Sequence, residues 1–144
     1  MPRVNNGAAA NFQVPVLMGS AHALASTECI IPIVAPFSGR LTGVYITDTT
    51  AITASDTDYI DVTVTNKGAA GAGTTTMATG TTETTTSGGI GDVSADVATA
   101  IPLSSTYAST VFSAGDVIYV DVTFASSGAF TAGAVHVFGV PGAY

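Results

Sequence analysis

Two segments of this chain alternate between apolar and polar residues, and this pattern constrains the fold more than any other feature. Apolar side chains occupy every second position of residues 59–65, and residues 117–124 repeat the pattern. A period of two is typical of a β-strand with one buried face. Further strand patterns, each next to turn residues, are found at residues 12–18, 29–34, 41–48 and 133–140. About eight short strands separated by turns predict an all-β fold, an antiparallel, jelly-roll-like β-sandwich.

The apolar positions of these strands predict the hydrophobic core. Residues that alternate onto one face of a half-buried strand share the interior of a sandwich. The predicted core residues are Leu41, Ile60, Val62, Val64, Ile118, Val120, Val122, Phe124, Val135 and Val137.

Residues 92–103 are the only predicted helix, of one or two turns at most. Val93, Val97 and Ile101 recur at a spacing of four, and Pro102 would end the helix. The residues before this segment are rich in threonine, which favours strands. We therefore also predict a hairpin in which Gly80 turns the chain between residues 74–79 and 81–86.

The length of 144 residues is typical of one domain. Residues 1–25 are predicted to be an N-terminal arm or edge segment, and residues 26–144 a single β-sandwich domain. Pro15 cannot donate a hydrogen bond within a sheet, so a strand near it belongs at an edge. The arm is apolar, and we expect it to lie along a partner or to swap between protomers.

The charge balance excludes several classes of function. Only 9% of the residues are charged, and three Lys and Arg residues against ten Asp and Glu residues give a net charge of −7. So few cations cannot neutralise a nucleic-acid backbone or bind an anionic membrane surface. The single cysteine, Cys29, allows no intrachain disulfide, which suits assembly in a cytoplasm.

A catalytic centre could only be assembled from a few scattered residues. Cys29 could in principle pair with His22 or His136, but no characteristic flanking sequence surrounds the cysteine. We interpret the cysteine as a core residue and the histidines as loop and strand residues. The sequence therefore predicts no catalytic residue, no cofactor and no enzymatic activity.

The carboxylates of Asp56, Asp58 and Asp61 are the best candidate metal ligands. Oxygen ligands at this spacing could hold calcium, but the twelve-residue calcium loop with its closing glutamate is absent. A solvated acidic loop is the favoured interpretation, so we predict no metal site. The glycine-rich residues 88–92 are interpreted as a loop, because the calcium-binding repeat that they partly match functions only in stacks.

Three stretches of the chain resemble a known family. They are residues 39–45, residues 58–64 and residues 113–120, in which a Ser-Ala-Gly-Asp turn enters a late strand. This pattern resembles the capsid decoration, or cement, proteins of tailed bacteriophages that have a jelly-roll or β-sandwich fold. The resemblance implies a homotrimer, without catalytic residues, on the outer surface of an icosahedral head. It would bridge neighbouring major capsid subunits after assembly in the host cytoplasm.

Two other classes of function stay open. A phage tail or fibre adhesin domain that binds a host receptor would carry an exposed tip lined by aromatic side chains. A cellular carbohydrate- or calcium-binding module would melt at a higher temperature when its ligand is present.

Overall fold

Nine strands and one 3-10 turn are formed by the residues that the computed structural model describes, which are 16–22, 28–85, 89–125 and 133–142. The 3-10 turn is Tyr107–Thr110. The strands are β1 (Val16–His22), β2 (Glu28–Val34), β3 (Gly39–Thr47), β4 (Ile60–Asn66), β5 (Thr75–Thr81), β6 (Thr99–Ala100), β7 (Val111–Phe112), β8 (Val117–Phe124) and β9 (Ala134–Pro141).

The strands form two sheets in which every strand pair is antiparallel. The first sheet has the order β1-β9-β3-β6, with β7 also paired to β3, and the second has the order β2-β8-β4-β5. In each sheet, late strands of the chain lie between early ones. This interleaving is that of a jelly roll, so the predicted fold class is confirmed.

The core lies between the sheets, and the two alternating segments supply its centre. Strands β4 and β8 pair along their whole length, with Val62 opposite Val122 and Val64 opposite Val120. All ten residues predicted for the core are buried, and the most accessible of them, Phe124, is 7% exposed. Alternation identified them because each strand has one face toward the opposite sheet.

Two of the prolines lie in or directly before an edge strand, as the sequence predicts. Pro32 lies in β2, the edge strand of the second sheet, and β1 begins directly after Pro15 at the edge of the first sheet. The predicted N-terminal segment thus contributes residues 16–22 to an edge, whereas residues 1–15 and 23–25 lie outside the described residues.

The helix predicted for residues 92–103 is wrong. Val93 is buried and forms a β-bridge with Ile52, whereas Val97 is 51% exposed. Asp96 has a positive φ of 58°, which ends any regular helix there. Because valine, threonine and aspartate are weak helix formers, pairing with neighbouring strands determines the conformation of this segment.

The hairpin predicted at Gly80 is also wrong. Gly80 lies inside β5, opposite Val62 of β4. A Cβ atom at this position would lie 2.9 Å from Cγ2 of Ile90 and 3.2 Å from Cδ of Pro102. Glycine is needed here because other parts of the chain pack closely over the strand, and not because the chain turns.

Candidate interaction surface

One side of the sandwich is closed by the chain itself. Residues 99–112, which we call the bridging segment, run along the edges of both sheets. The amide of Ile101 donates to the carbonyl of Val44 in the first sheet (2.8 Å), and the amide of Ser104 donates to that of Met77 in the second (2.8 Å). These bonds satisfy edge strands that would otherwise expose unpaired backbone groups.

The opposite side of the sandwich is formed by two edge strands. It is formed by β1 and β2, the terminal strands of the two sheets, which contact each other. No other strand within the described part of the chain pairs with their outer edges. Among the described residues, this side has no counterpart of the bridging segment.

Beside this open side, β2 presents a row of exposed apolar side chains. Ile30 is 46% exposed, Val34 is 64% exposed, and Pro32 between them is also exposed. We call these three residues the β2 row. Ile33 of the same strand is buried, so the alternation that fills the core also directs the row outward. Exposed apolar groups in a contiguous row are typical of an interface.

The β2 row was not identified from the sequence, although a signal for it exists. Pro32 has no amide hydrogen, so on an edge strand its nitrogen faces away from the neighbouring strand. Residues two positions apart in a strand have the same orientation, so Ile30 and Val34 are oriented like Pro32. Pro32 predicts an edge position for β2, and the same parity predicts that Ile30 and Val34 are exposed.

The two ends of the sandwich differ sharply in charge. Most of the ten acidic residues lie at the end where β4 begins, which we call the acidic end. Among the described residues, neither Arg nor Lys occurs there. The acidic residues at or beside this end are Glu28, Asp48, Asp56, Asp58, Asp61, Glu83, Asp92 and Asp96.

Several of these carboxylates hold the loops of the acidic end together. Asp92 Oδ1 accepts a hydrogen bond from the amide of Ala54 (2.7 Å). Asp56 Oδ1 accepts from the hydroxyl of Thr84 and from the amides of Thr84 (2.8 Å) and Thr85 (2.9 Å). The hydroxyl of Thr84 and the amide of Thr85 lower the pKa of Asp56 below its ordinary value of 3.8. The charged carboxylates at this end therefore also stabilise the loops that carry them.

The opposite end, which we call the basic end, contains both cations of the described residues. It is formed by residues 35–38, 66–74 and 113–116, and Arg40 lies at the start of β3 beside it. The Arg40 guanidinium lies 5.2 Å from the ring centre of Tyr107, and Nζ of Lys67 lies 5.4 Å from that of Tyr119. Each cation is thus positioned over an aromatic face, an arrangement that stabilises it at a surface.

The residues considered for nucleophilic catalysis lie on different sheets. Cys29 is in β2 of the second sheet, and His22 is in β1 at the edge of the first. His136 lies in β9 between the buried Val135 and Val137, and its Nε2 lies 3.1 Å from the hydroxyl of Thr47. Cys29 and His136 thus belong to strands of different sheets.

The three aspartates considered for calcium binding are also not assembled into one site. Asp56 is engaged by Thr84 and Thr85, while Asp61 lies in β4 opposite Thr81. Within the described ranges, no three His, Cys, Asp or Glu side chains form a group that could hold a metal ion. The segment 88–92 is described from Gly89 onward, where Gly91 adopts a positive φ of 71° and Asp92 bonds to Ala54.

The outer face of the first sheet carries a small aromatic pocket of about 230 Å³. It is lined by Thr42, Gly43, Tyr45 and Phe138. The two rings meet edge to face with their centres 5.8 Å apart. A Cβ at Gly43 would lie 2.7 Å from the Tyr45 ring, so the glycine allows this ring to lie flat over its own strand. Tyr45 remains 36% exposed.

A scan of protein-family models, a search of curated proteins and a search of solved structures each found no match. Among the described residues, no helix is long and apolar enough to span a membrane.

Proposed function

We propose that this protein is a non-enzymatic virion structural protein that decorates an icosahedral phage capsid. It binds as a homotrimer to the outer surface of the head and bridges neighbouring major capsid subunits. The observation that carries the proposal is the separation of charge along the sandwich. A protein that sits on a surface needs one end that docks and another that faces solvent, and the two ends of this molecule differ in this way.

The basic end is the better docking end. Its cations lie over tyrosine rings, and Tyr107 is 54% exposed. Tyrosine and arginine are enriched in protein interfaces because they bury a large area and also form polar contacts. Asp116 is the one acidic residue described at this end, and its Oδ2 accepts hydrogen bonds from Asn66 Nδ2 and the amide of Ser113.

The acidic end is suited to face solvent. Its carboxylates repel the same end of neighbouring copies and of other particles, which keeps decorated heads dispersed. The same field would orient an approaching copy if the shell is also negatively charged, because the acidic end then turns away from it. In this arrangement, shape complementarity and apolar contacts hold the protein on the head, and charge determines which end faces it.

The strands that carry the candidate reactive residues support the non-enzymatic part of the proposal. The cysteine and the histidine in β9 lie on different sheets, and Asp56 holds a loop. The jelly-roll-like sandwich supports the virion assignment only as a general likeness, because viral capsid domains and lectins share this architecture.

The test is sedimentation of the protein with heads of the phage that encodes this chain, prepared without it. Binding should saturate at a fixed number of copies per head. Lys67→Gln at the basic end should raise the dissociation constant about fivefold or more, which corresponds to about 1 kcal/mol. Thr53→Glu at the acidic end is the matched control, since it changes the net charge equally and should bind like the wild type.

Two outcomes would count against this proposal. If the wild-type protein does not bind heads at all, capsid decoration is wrong. If Thr53→Glu weakens binding as much as Lys67→Gln does, only net charge matters, and the basic end is not the docking end.

The aromatic pocket favours a second candidate function, a phage tail or fibre adhesin domain. A flat, partly exposed tyrosine beside a second ring offers a face on which a receptor group can stack. In this case Tyr45→Ala should abolish binding to a receptor glycan found by array screening. Tyr107→Ala, which removes an exposed tyrosine of the bridging segment, should leave that binding intact.

A further inference from the structure

We propose that a groove on the outer face of the second sheet binds a neutral saccharide. The groove has a volume of about 620 Å³, within the range of about 300–1,000 Å³ that is typical of small-molecule sites. Residues of β4 and β5 line it together with residues 102–105 of the bridging segment. It follows β5 from Thr76 to Thr81, a distance of about 16 Å at about 3.3 Å per residue.

The polar groups of the groove are one carboxylate and a set of hydroxyls. Asp61 is half-buried on the outer face of β4, and no group in the described part of the chain donates a hydrogen bond to its carboxylate. The hydroxyls of Thr63 and Thr79 lie 3.4 Å apart, and Thr76 and Ser105 add two exposed hydroxyls. A ligand with many hydroxyl groups can donate to the carboxylate and both donate to and accept from these side chains.

Apolar surface lies among these polar groups. Pro102 is exposed, Leu103 is half-buried, and both line the groove. The C–H groups of a sugar ring can pack on such surface while the hydroxyls of the same ring form hydrogen bonds. No aromatic side chain is among the described residues that line the groove. A single groove should therefore bind weakly, because it lacks the large contact area that an aromatic ring supplies.

The charge of the groove disfavours anionic ligands. Asp61 is the one charged residue among the described residues that line it. Asp121 lies on the same face of the sheet, opposite Thr63 of β4. Both carboxylates repel phosphate, sulfate and carboxylate groups, and no described Arg or Lys in the lining offsets that repulsion. A neutral saccharide therefore fits the groove better than an acidic one.

The paired edge of β5 disfavours an extended peptide as the ligand. The amide of Thr79 donates to the carbonyl of Pro102 (3.1 Å), and the amide of Ser104 donates to that of Met77 (2.8 Å). The bridging segment thus occupies the edge to which a peptide strand would add. A cationic amine could pair with Asp61, but it offers no acceptor to the hydroxyl groups of the groove.

The position of the groove gives the weak binding a use, and this step rests on the proposed function. Asp61 lies near the start of β4, at the acidic end, which in that proposal faces away from the shell. Many copies on one head would then present the same groove outward. Together they would bind tightly to a surface that displays the saccharide, because every contact after the first is intramolecular.

The experiment begins with an array of neutral, sialylated and sulfated glycans, probed with the full-length protein displayed in many copies on fluorescent beads. We expect binding to neutral glycans and not to the anionic ones. The neutral glycan that binds best is then titrated into the protein in solution. Asp61→Ala should raise its dissociation constant about tenfold or more, because a charged acceptor is lost. Asp121→Ala is the matched control, since it removes the same charge from the same face but does not line the groove.

A second pair of variants tests the hydroxyls. Thr79→Val replaces a hydroxyl of the groove by a methyl group and should raise the dissociation constant about threefold or more. Thr123→Val makes the same change on the exposed face of β8, outside the groove, and should bind like the wild type. Circular dichroism should show all four variants folded, since none of the four side chains is buried.

Several outcomes would overturn this site. They are beads that bind no neutral glycan, an Asp121→Ala variant that is weakened as much as Asp61→Ala, or glycan binding that Tyr45→Ala abolishes and Asp61→Ala does not. Binding of the polyamine spermine without binding of any neutral glycan would show that the groove takes a cation instead. If the protein binds heads but no neutral glycan, the groove is wrong and the proposed function stands. If it binds a neutral glycan through Asp61 but does not bind heads, the groove stands and the proposed function is wrong.

Discussion

Single carboxylates in this protein act as structural hydrogen-bond acceptors, and Asp56 is the clearest case. Its Oδ1 atom joins the loop after β3 to residues 84 and 85. The sequence alone suggests either a calcium ligand or a residue of a solvated loop at Asp56, and neither interpretation includes this role. The contacts join residues 28 or 29 positions apart, which no local pattern reveals.

The depressed pKa of Asp56 predicts a particular dependence of stability on pH. Since the folded-state pKa is below 3.8, Asp56 stabilises the fold fully above that pH, and the contribution is lost as pH falls through the folded-state value. Asp56→Ala should lower the melting temperature at about pH 7, and the difference from wild type should shrink at about pH 3. The melting temperature of Asp56→Asn, which retains an acceptor oxygen, should lie between those of the wild type and Asp56→Ala. An unchanged gap at low pH would show that the carboxylate charge has no part in stability.

The buried face of β8 is sensitive to charge. Val120 is fully buried, so Val120→Asp places an unpaired carboxylate in the core and should cost about 4 kcal/mol or more. A domain of this size has about 5–15 kcal/mol in total, so we expect loss of the cooperative melting transition. Thr123→Asn, on the exposed face of the same strand, should melt like the wild type. A folded Val120→Asp protein would contradict the assigned orientation of β8.

At the scale of elements, strands with a clear period of two were predicted correctly because their pattern reports one buried face. Strands β4 and β8 lie in the interior of the second sheet, where each inward residue meets the opposite sheet. The conformation of the residues between these two strands was not predicted correctly. Contacts with distant parts of the chain determine the conformation of Gly80 and residues 92–103. The local spacing of apolar residues does not reveal these contacts.

The extended conformation of residues 92–103 can be tested with two valines. A helix with Val93, Val97 and Ile101 on one face would make both valines costly to remove. In the structure Val93 is fully buried and Val97 is 51% exposed. Val93→Ala should therefore cost about 2 kcal/mol in chemical denaturation, and Val97→Ala less than about 0.5 kcal/mol. Similar losses for both variants would favour the helix.

At the scale of the whole molecule, the sandwich has two unlike ends and two unlike sides. The bridging segment closes one side, and the β2 row borders the other. Composition alone predicted the low charge, but not its concentration at one end. That separation arises from topology, because the loops after β3 and β5 and before β6 all lie at the same end.

The polarity of the molecule gives the proposed function a definite geometry. If the protein acts as proposed, with its basic end on the shell, the trimer axis would be normal to the head surface and the acidic loops would form the outermost layer. A tail or fibre adhesin would instead present its aromatic pocket outward from the tail.

Cryo-electron microscopy of heads mixed with the purified protein tests this account most directly. We expect regular three-fold densities on the outer capsid surface, into which the sandwich fits with its basic end toward the shell and residues 48–59 outward. Heads without added density, density confined to the tail, or trimers seated with the acidic end on the shell would contradict it.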